Sequence, residues 1–394
     1  MKKLLLATAA MALIAGAASA EEIKMGISLG FTGPLESLAG PMALGAEMAM
    51  KEVSDSGKLL GGATVTPVRT DSTCIDSAAA TAGVERLITS DRVSGIVGGM
   101  CSGEATASLV NVAVPNGMVM ISPSATSPAL STVEDNGLFF RTSPSDARQG
   151  DVMTQIVMEH GIKEVAVTYT NNDYGKGLAD AFAAAFEAAG GKVTINTAHE
   201  DGKADYSAEV GALAAAGGQA LAVVGYVDQG GAGIVRGAID SGAFETFVFP
   251  DGMVGQGLVD RFGSEIDGSF GQNPASEGEG RETFLKLAAE AGFDGTSAYS
   301  AESYDAAALM LLAMQAAGTA DPSVYKDKIM EVANAPGEKI QPGELGKALE
   351  ILAAGGDVDY VGGSAVEMIG AGESAGTYRE VTFKDGKMEV VGYR

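Results

Sequence analysis

Short apolar runs recur along the chain and alternate with stretches of helical periodicity. The runs are Ile23–Leu29, Thr64–Thr70, Gly95–Gly98, Met118–Ser122, Glu164–Tyr169, Lys192–Asn196, Ala220–Val224 and Thr246–Phe249. Several are apolar throughout, the pattern of strands covered on both faces. Between them apolar positions step by three and four. Over 41–56, Met42, Ala46, Ala49 and Val53 share a face; Pro41 suits a first helical position and Gly57 stops the helix. Over 147–160, Met153, Ile156, Val157 and His160 form one stripe. Alternating strand and helix predicts α/β layers with parallel sheets. The strand–helix units end near residue 260, and 281–354 reads as mostly helix. That is too many units for one small sheet, and a break at Arg141–Asp146 divides them into two runs. The pattern predicts two doubly wound parallel-sheet lobes. The Gly-rich segment Gly362–Ser374 reads as a connection or turn.

The N-terminus departs from this pattern. Lys2 and Lys3 precede an apolar run, Leu4–Ala15, which ends in Ala18-Ser19-Ala20. These are the parts of an export signal cleaved after Ala20, leaving Glu21 as the first mature residue. The run is too short to span a bilayer comfortably. No cysteine follows the cleavage site to carry a lipid anchor. The expectation is an exported, soluble protein.

Composition narrows the function classes. The 394 residues are 46% hydrophobic and 20% charged, which is the balance of a folded chain of two to three domains. A formal net charge of -25 argues against nucleic acid and against an anionic membrane surface as partners. With 2 His and 2 Cys, a zinc cluster of those residues is out of reach. Cys74 and Cys101 would sit in an oxidising compartment. A bridge between them closes a loop of about 28 residues, worth roughly 3.6 kcal/mol in the chain-entropy model. Two buried thiols are the alternative.

Catalytic motifs are thin. Gly26-Ile27-Ser28-Leu29-Gly30 has the spacing of a hydrolase nucleophile elbow but lies within and just after the first mature strand, not on a strand-to-helix turn. Neither a P-loop nor a dinucleotide-binding glycine motif occurs. His160 falls at a predicted helix C-terminus, and His199, beside Glu200 and Asp201, is expected to be exposed. Two strand ends, by contrast, run into small hydroxyl residues: Cys101-Ser102-Gly103-Glu104, and Ser122-Pro123-Ser124-Ala125-Thr126-Ser127-Pro128. Ligands of open α/β sheets bind beyond the carboxyl ends of strands, and hydroxyls with free N–H groups suit a carboxylate. Ordinary N-capping by serine accounts for them equally well.

The chain resembles the periplasmic binding proteins of branched-chain amino acid ABC transporters, the Leu/Ile/Val-binding type, over nearly its whole mature length. The resemblance is carried in order by Thr32-Gly33-Pro34, Asp71-Ser72-Thr73-Cys74, Cys101-Ser102, Ile121-Ser122-Pro123-Ser124-Ala125-Thr126, Asn172-Asp173-Tyr174-Gly175-Lys176-Gly177, Pro250-Asp251-Gly252 and Ser303-Tyr304-Asp305-Ala306. It implies two lobes joined by a three-segment hinge, 21–142 with 275–355 and 143–274 with 356–394, closing on a ligand. It implies a Cys74–Cys101 disulfide, no metal, cofactor or chemistry, and a monomer in the periplasm. Its partners would be a small amino acid and the membrane permease.

Residue by residue, the resemblance implies that Ser102 holds the ligand carboxylate through its hydroxyl and backbone N–H. Ser124 offers a backbone carbonyl to the ammonium, and Thr126 contacts both charged groups. Tyr174 reaches over the closed cleft from the second lobe. Asp251, where Glu is usual, pairs with the ammonium. Tyr299 flanks the ligand side chain. Tyr226 matches another second-lobe tyrosine, with Val227 competing for the position. Leu38 stands where Tyr or Trp is usual. A zwitterion leaving water needs both charges met, and this set offers donors to one end and acceptors to the other. Shortening Glu to Asp pulls the anion back by about one methylene, to be offset by tighter closure, a bridging water or an amine set farther out. The alternatives are an amide- or urea-type binder on the same scaffold, and an exported hydrolase using Ser28 or Ser102.

Overall fold

A computed structural model describes residues 21–370 and 372–394. The export signal read at 1–20 lies outside the described residues. The first lobe begins with β1 (Glu22–Leu29), α1 (Glu36–Ser56), β2 (Thr64–Asp71), α2 (Ser77–Arg86), β3 (Ile96–Gly98), α3 (Ser102–Ser108), β4 (Met120–Ser122) and β5 (Phe139–Arg141). Strands β3, β4 and β5 are buried at every position, as their apolar runs require. The chain then crosses over. The second lobe is α4 (Asp146–Glu159), β6 (Glu164–Thr170), α5 (Asp173–Ala188), β7 (Lys192–His199), α6 (Ser207–Ala216), β8 (Ala220–Val224), α7 (Gly230–Ser241), β9 (Phe247–Phe249), α8 (Gln256–Phe262) and β10 (Phe270–Pro274).

A second crossing returns to the first lobe with α9 (Glu279–Ala291), α10 (Ser300–Ala317), α11 (Pro322–Tyr325), α12 (Ile329–Ala333), β11 (Glu338–Ile340), α13 (Leu345–Ala353), β12 (Val358–Tyr360), β13 (Met368–Ile369) and β14 (Glu373–Ser374). A third leads to the hairpin β15 (Tyr378–Lys384) and β16 (Lys387–Tyr393). The two main sheets have 7 strands each, in the orders β13-β14-β5-β4-β3-β1-β2 and β16-β15-β10-β9-β8-β6-β7. Pairings within β1–β5 and within β6–β10 are parallel; β13–β14, β10–β15 and β15–β16 are antiparallel. In each sheet the winding reverses beside the first strand, β1 or β6, and the loops beyond the strand ends converge there.

Three expectations need correction. Helix α1 starts at Glu36, not at Pro41, so Pro41 sits inside it. It gives up one bond, to the Ser37 carbonyl, which a helix capped and packed elsewhere can bear. The segment 356–374 was expected in the second lobe. Instead β12 pairs with β11, and Glu373 pairs with Arg141 at the edge of the first sheet, so the third crossing falls between Ser374 and Tyr378. Strands β5 and β10 were not read at all.

The first-lobe core is α1 against α10. Residues Ser300–Gln315 of α10 are all buried, so this helix is covered on every side. Gly45 makes the crossing possible: a Cβ there would lie 2.2 Å from the Ser300 carbonyl oxygen. This tight pairing fixes the N-terminus of α10, and with it Tyr299.

Candidate functional site

The loops beyond the strand ends of both sheets close around a narrow cavity of about 10 Å³. The first lobe supplies Leu35, Met100, Cys101, Ser102 and Ser124; the second supplies Tyr174, Tyr226, Asp251 and Gly252; Tyr299 enters from the head of α10. The cavity has about the room of one water molecule. Among the described residues Asp251 contributes the sole carboxylate of this wall.

The first-lobe wall is built by a disulfide and a web of short bonds. Cys74 and Cys101 are bridged, with Cα atoms 5.2 Å apart, which ties the loop after β2 to the head of α3. Glu104, one turn into α3, turns back and accepts the N–H groups of Met100 (2.6 Å) and Cys101 (3.2 Å). Its carboxyl is fully buried, and burial pushes it up to about 7 against the pull of those two bonds. The Ser102 hydroxyl accepts the Ser127 N–H at 3.0 Å, which leaves its own hydrogen to donate. Ser124 donates to the Met100 carbonyl at 2.7 Å.

The second-lobe wall centres on Asp251, at the carboxyl end of β9. Its turn is pinned by the Pro250 carbonyl, which accepts the N–H groups of Met253 and Val254 at 2.9 and 3.1 Å. Oδ1 of Asp251 accepts the Gln149 amide at 2.7 Å and the Tyr174 hydroxyl at 2.8 Å. Oδ2 accepts the Tyr299 hydroxyl. Tyr299 has φ of 63°, the left-handed region, so the chain bends sharply to present this ring. The Tyr174 and Tyr226 rings stack at 5.2 Å and 13°. The Tyr226 hydroxyl accepts the Asn172 amide at 3.2 Å. Burial raises the proton affinity of all three phenols, and the nearby carboxylate adds to it. They remain neutral donors at neutral pH. Burial also raises Asp251, while its three side-chain donors oppose that rise.

The structure therefore brings Ser102, Ser124, Tyr174, Tyr226, Asp251 and Tyr299 around one cavity. Between Tyr226 and Val227, it is Tyr226 that faces the cavity. Two expected residues fall elsewhere. Leu38 lies in a separate groove with Pro41, Gly255 and Gln256, and Leu35, one helical turn earlier, takes the wall position. Thr126 is buried behind the wall; its hydroxyl has no partner and its carbonyl accepts the Asp146 N–H at 2.8 Å. Asp146 and Gln149 were not anticipated. They sit one turn apart at the start of α4, and Gln149 reaches Asp251 directly. Their sequence positions carry no signal beyond a helix start. Burial, followed by repulsion from Asp251, raises Asp146 well above the usual carboxylate range, against the pull of the neighbouring Thr126 hydroxyl and of Arg141.

Among the described residues no serine is hydrogen-bonded to a histidine. The Ser28 hydroxyl is buried in β1 without a partner. His160 stacks on Phe270 at 3.8 Å. His199 is 1% exposed, not exposed as expected; its Nδ1 lies 2.9 Å from the Thr168 hydroxyl, and burial lowers it to about 4. Among the described residues no group of three His, Cys, Asp or Glu side chains is placed to hold a metal ion, and no helix is long and apolar enough to cross a membrane.

The periplasmic binding protein family model matches residues 22–335. A Leu/Ile/Val-binding protein homolog of Brucella melitensis is 30% identical over 347 residues, covering 86% of this chain and 89% of its own. The leucine-, isoleucine-, valine-, threonine- and alanine-binding protein of Pseudomonas aeruginosa is 30% identical over 345 residues, 86% of this chain and 90% of its own. In structure, the branched-chain amino acid transporter substrate-binding protein of Streptococcus pneumoniae, solved with isoleucine, superposes with a TM-score of 0.76 at 22% identity, covering 94% of this chain and 99% of its own.

Proposed function

Since the chain belongs to the periplasmic binding protein family, we propose that it is the exported substrate-binding component of an ABC transporter. It captures a small amino acid between its lobes and delivers it to a membrane permease. One observation carries the reading: a small cavity is walled from both lobes, with the Ser102 hydroxyl on one side and a buried carboxylate on the other. The Ser102 hydroxyl, oriented by Ser127, donates to the ligand carboxylate. Asp251 meets the ammonium, with the Ser124 carbonyl beside it. A zwitterion neutralised at both ends can leave water without an unpaired charge. Because neither lobe holds both groups, binding draws the lobes together about the three crossings. The ligand is held and released unchanged, as transport requires.

The Leu/Ile/Val- and Leu/Ile/Val/Thr/Ala-binding relatives indicate which amino acids to try first. The test is a thermal-shift screen of amino acids, amines and amides, followed by calorimetry of the hits. A ligand at a hundred times its Kd adds about 2.7 kcal/mol to native stability. A screen in which amides shift the protein and amino acids do not would replace the reading with an amide binder on the same scaffold.

A further inference from the structure

The first residue before α1 is Leu35, which has no side chain able to cap a helix; the Glu36 N–H reaches the Gly33 carbonyl at 3.4 Å, and no side chain of the flank caps this 21-residue helix. The cap comes from the other lobe. Oδ2 of Asp228 accepts the Ser37 N–H at 3.0 Å, across 191 residues of sequence. Asp228 is itself held in place: Oδ1 pairs with Arg261 at 3.0 Å, and its backbone N–H donates to the Pro34 carbonyl at 3.1 Å, also across the lobes. The junction is close. A Cβ on Gly257 would lie 3.6 Å from the Ser37 hydroxyl and 3.8 Å from Asp228 Oδ1. Leu38 packs into the same seam, 3.8 Å from where a Gly255 Cβ would stand.

We propose that Asp228 is a positioning residue for ligand capture, a clasp that caps α1 only when the lobes are closed. It lies outside the cavity wall and adds to affinity by stabilising the closed form. The inference rests on the closure described under the proposed function. In the open form the first N–H groups of α1 turn to water and Asp228 keeps Arg261. On closure the anion meets the positive end of a long helix and satisfies one of its unpaired donors. The bond therefore favours the closed side of the equilibrium, and every ligand gains the same factor from it.

Leu35 couples the clasp to the ligand. It occupies the N-cap position and also lines the cavity. A ligand pressing on Leu35 and the carboxylate of Asp228 thus act on the same short turn.

The test compares wild type, Asp228→Ala and Asp228→Asn by calorimetry with L-leucine, L-isoleucine, L-valine, L-threonine and L-alanine. Asp228→Ala is expected to weaken every ligand that binds by the same factor, about 2- to 30-fold, the range spanned by loss of an N-cap. Asn caps as well as Asp, so Asp228→Asn should restore most of that loss. Hydrogen exchange adds a readout that a merely structural role would not move. Ligand should protect the Ser37 amide in wild type and in Asp228→Asn, and not in Asp228→Ala, while the melting temperature without ligand stays equal in all three. Loss confined to one ligand, unchanged affinity in Asp228→Ala, or an equal drop in ligand-free stability would each overturn the clasp. Should wild type bind none of the five, the amino-acid reading fails instead. The clasp is then tested by calorimetry with the amine or amide that most stabilises wild type in the thermal-shift screen: weaker binding by Asp228→Ala, restored in Asp228→Asn, supports it, and equal affinity in all three refutes it.

Discussion

Replacing Glu104 by Gln should stabilise the protein at alkaline pH and leave it unchanged at acidic pH. Glu104 is 1% exposed. One oxygen accepts the Met100 and Cys101 N–H groups, and the other has no partner. Gln keeps a carbonyl for the two N–H groups. At the second position its amide N–H replaces the O–H that a protonated Glu would place there, so the two forms are closely matched. They differ once the acid must ionise. Burial moves the carboxyl from 4.5 to about 7. The folded state therefore holds a proton that the unfolded chain has already lost between those values. Stability from this group is fully present below pH 4.5 and is lost as pH rises through 7. At about 1.4 kcal/mol per tenfold in proton affinity, the ionised carboxylate costs the fold about 3 kcal/mol. Urea unfolding of both proteins, disulfide intact, at several pH values from 4.5 to 8.5 gives the difference directly. It should grow from near zero to about 3 kcal/mol in favour of Gln. Since every other buried acid is common to both proteins, the difference isolates Glu104. A gap that does not change with pH would show that Glu104 does not titrate in this window. A less stable Gln variant at pH 8.5 would mean that the ionised carboxylate is paired.

Other outcomes follow from the same structure. Intact-mass analysis of unreduced protein should show no alkylation at Cys74 or Cys101, and reduction should expose both; opening the bridge should cost roughly 3.6 kcal/mol for a loop of about 28 residues. Asp251→Asn should weaken the best amino-acid ligand by about 30- to 4000-fold, the range for breaking a desolvated charge pair, and calorimetry should rank Thr126→Val well below it, because the Thr126 hydroxyl lies behind the wall without a partner. Burial and the neighbouring Asp251 raise the proton affinity of Asp146, so Asp146→Asn should gain stability over wild type as pH rises; urea unfolding at several pH values checks this, and a difference that does not change with pH would refute it. Small-angle scattering should give a smaller radius of gyration with ligand, and mass spectrometry of the ligand recovered after long incubation should find it unaltered.

How much of this was legible in the sequence depends on where each feature gets its partners. Ala220–Val224 is a strand in any reading, because five consecutive apolar residues buried on both faces need no further explanation. Phe270–Pro274 is just as buried but spells Phe-Gly-Gln-Asn-Pro. It reads as a turn until Gln272 is seen accepting Gln149 at 3.2 Å and Asn273 accepting Arg379 at 2.8 Å. His199 was misplaced for the same reason: beside Glu200 and Asp201 it looks solvated, yet it is buried with Nδ1 against the Thr168 hydroxyl of the neighbouring strand. The two-residue strands β13 and β14 are too short, and too glycine-flanked, to show any period.

The site divides along the same line. Ser102, Ser124 and Asp251 follow apolar strands directly, so the rule that ligands gather beyond strand ends finds them from sequence order. Gln149, Asp146 and the clasp residue Asp228 act on partners far away in the chain, and nothing local marks them. Leu38 shows how fine the limit is. The segment was placed correctly, but α1 begins at Glu36, ahead of Pro41, and that start turns Leu35 into the cavity and Leu38 into the seam against Gly255. Because 36–40 is helical, Leu35 and Leu38 lie about one turn apart along the axis, and one reaches the cavity while the other reaches the seam. Which leucine meets the ligand is therefore set by the capping of α1, and the cap is supplied by the opposite lobe. Under the proposed closure, the first-lobe wall at Leu35 and the contact of Asp228 with Pro34 and Ser37 meet at one short turn.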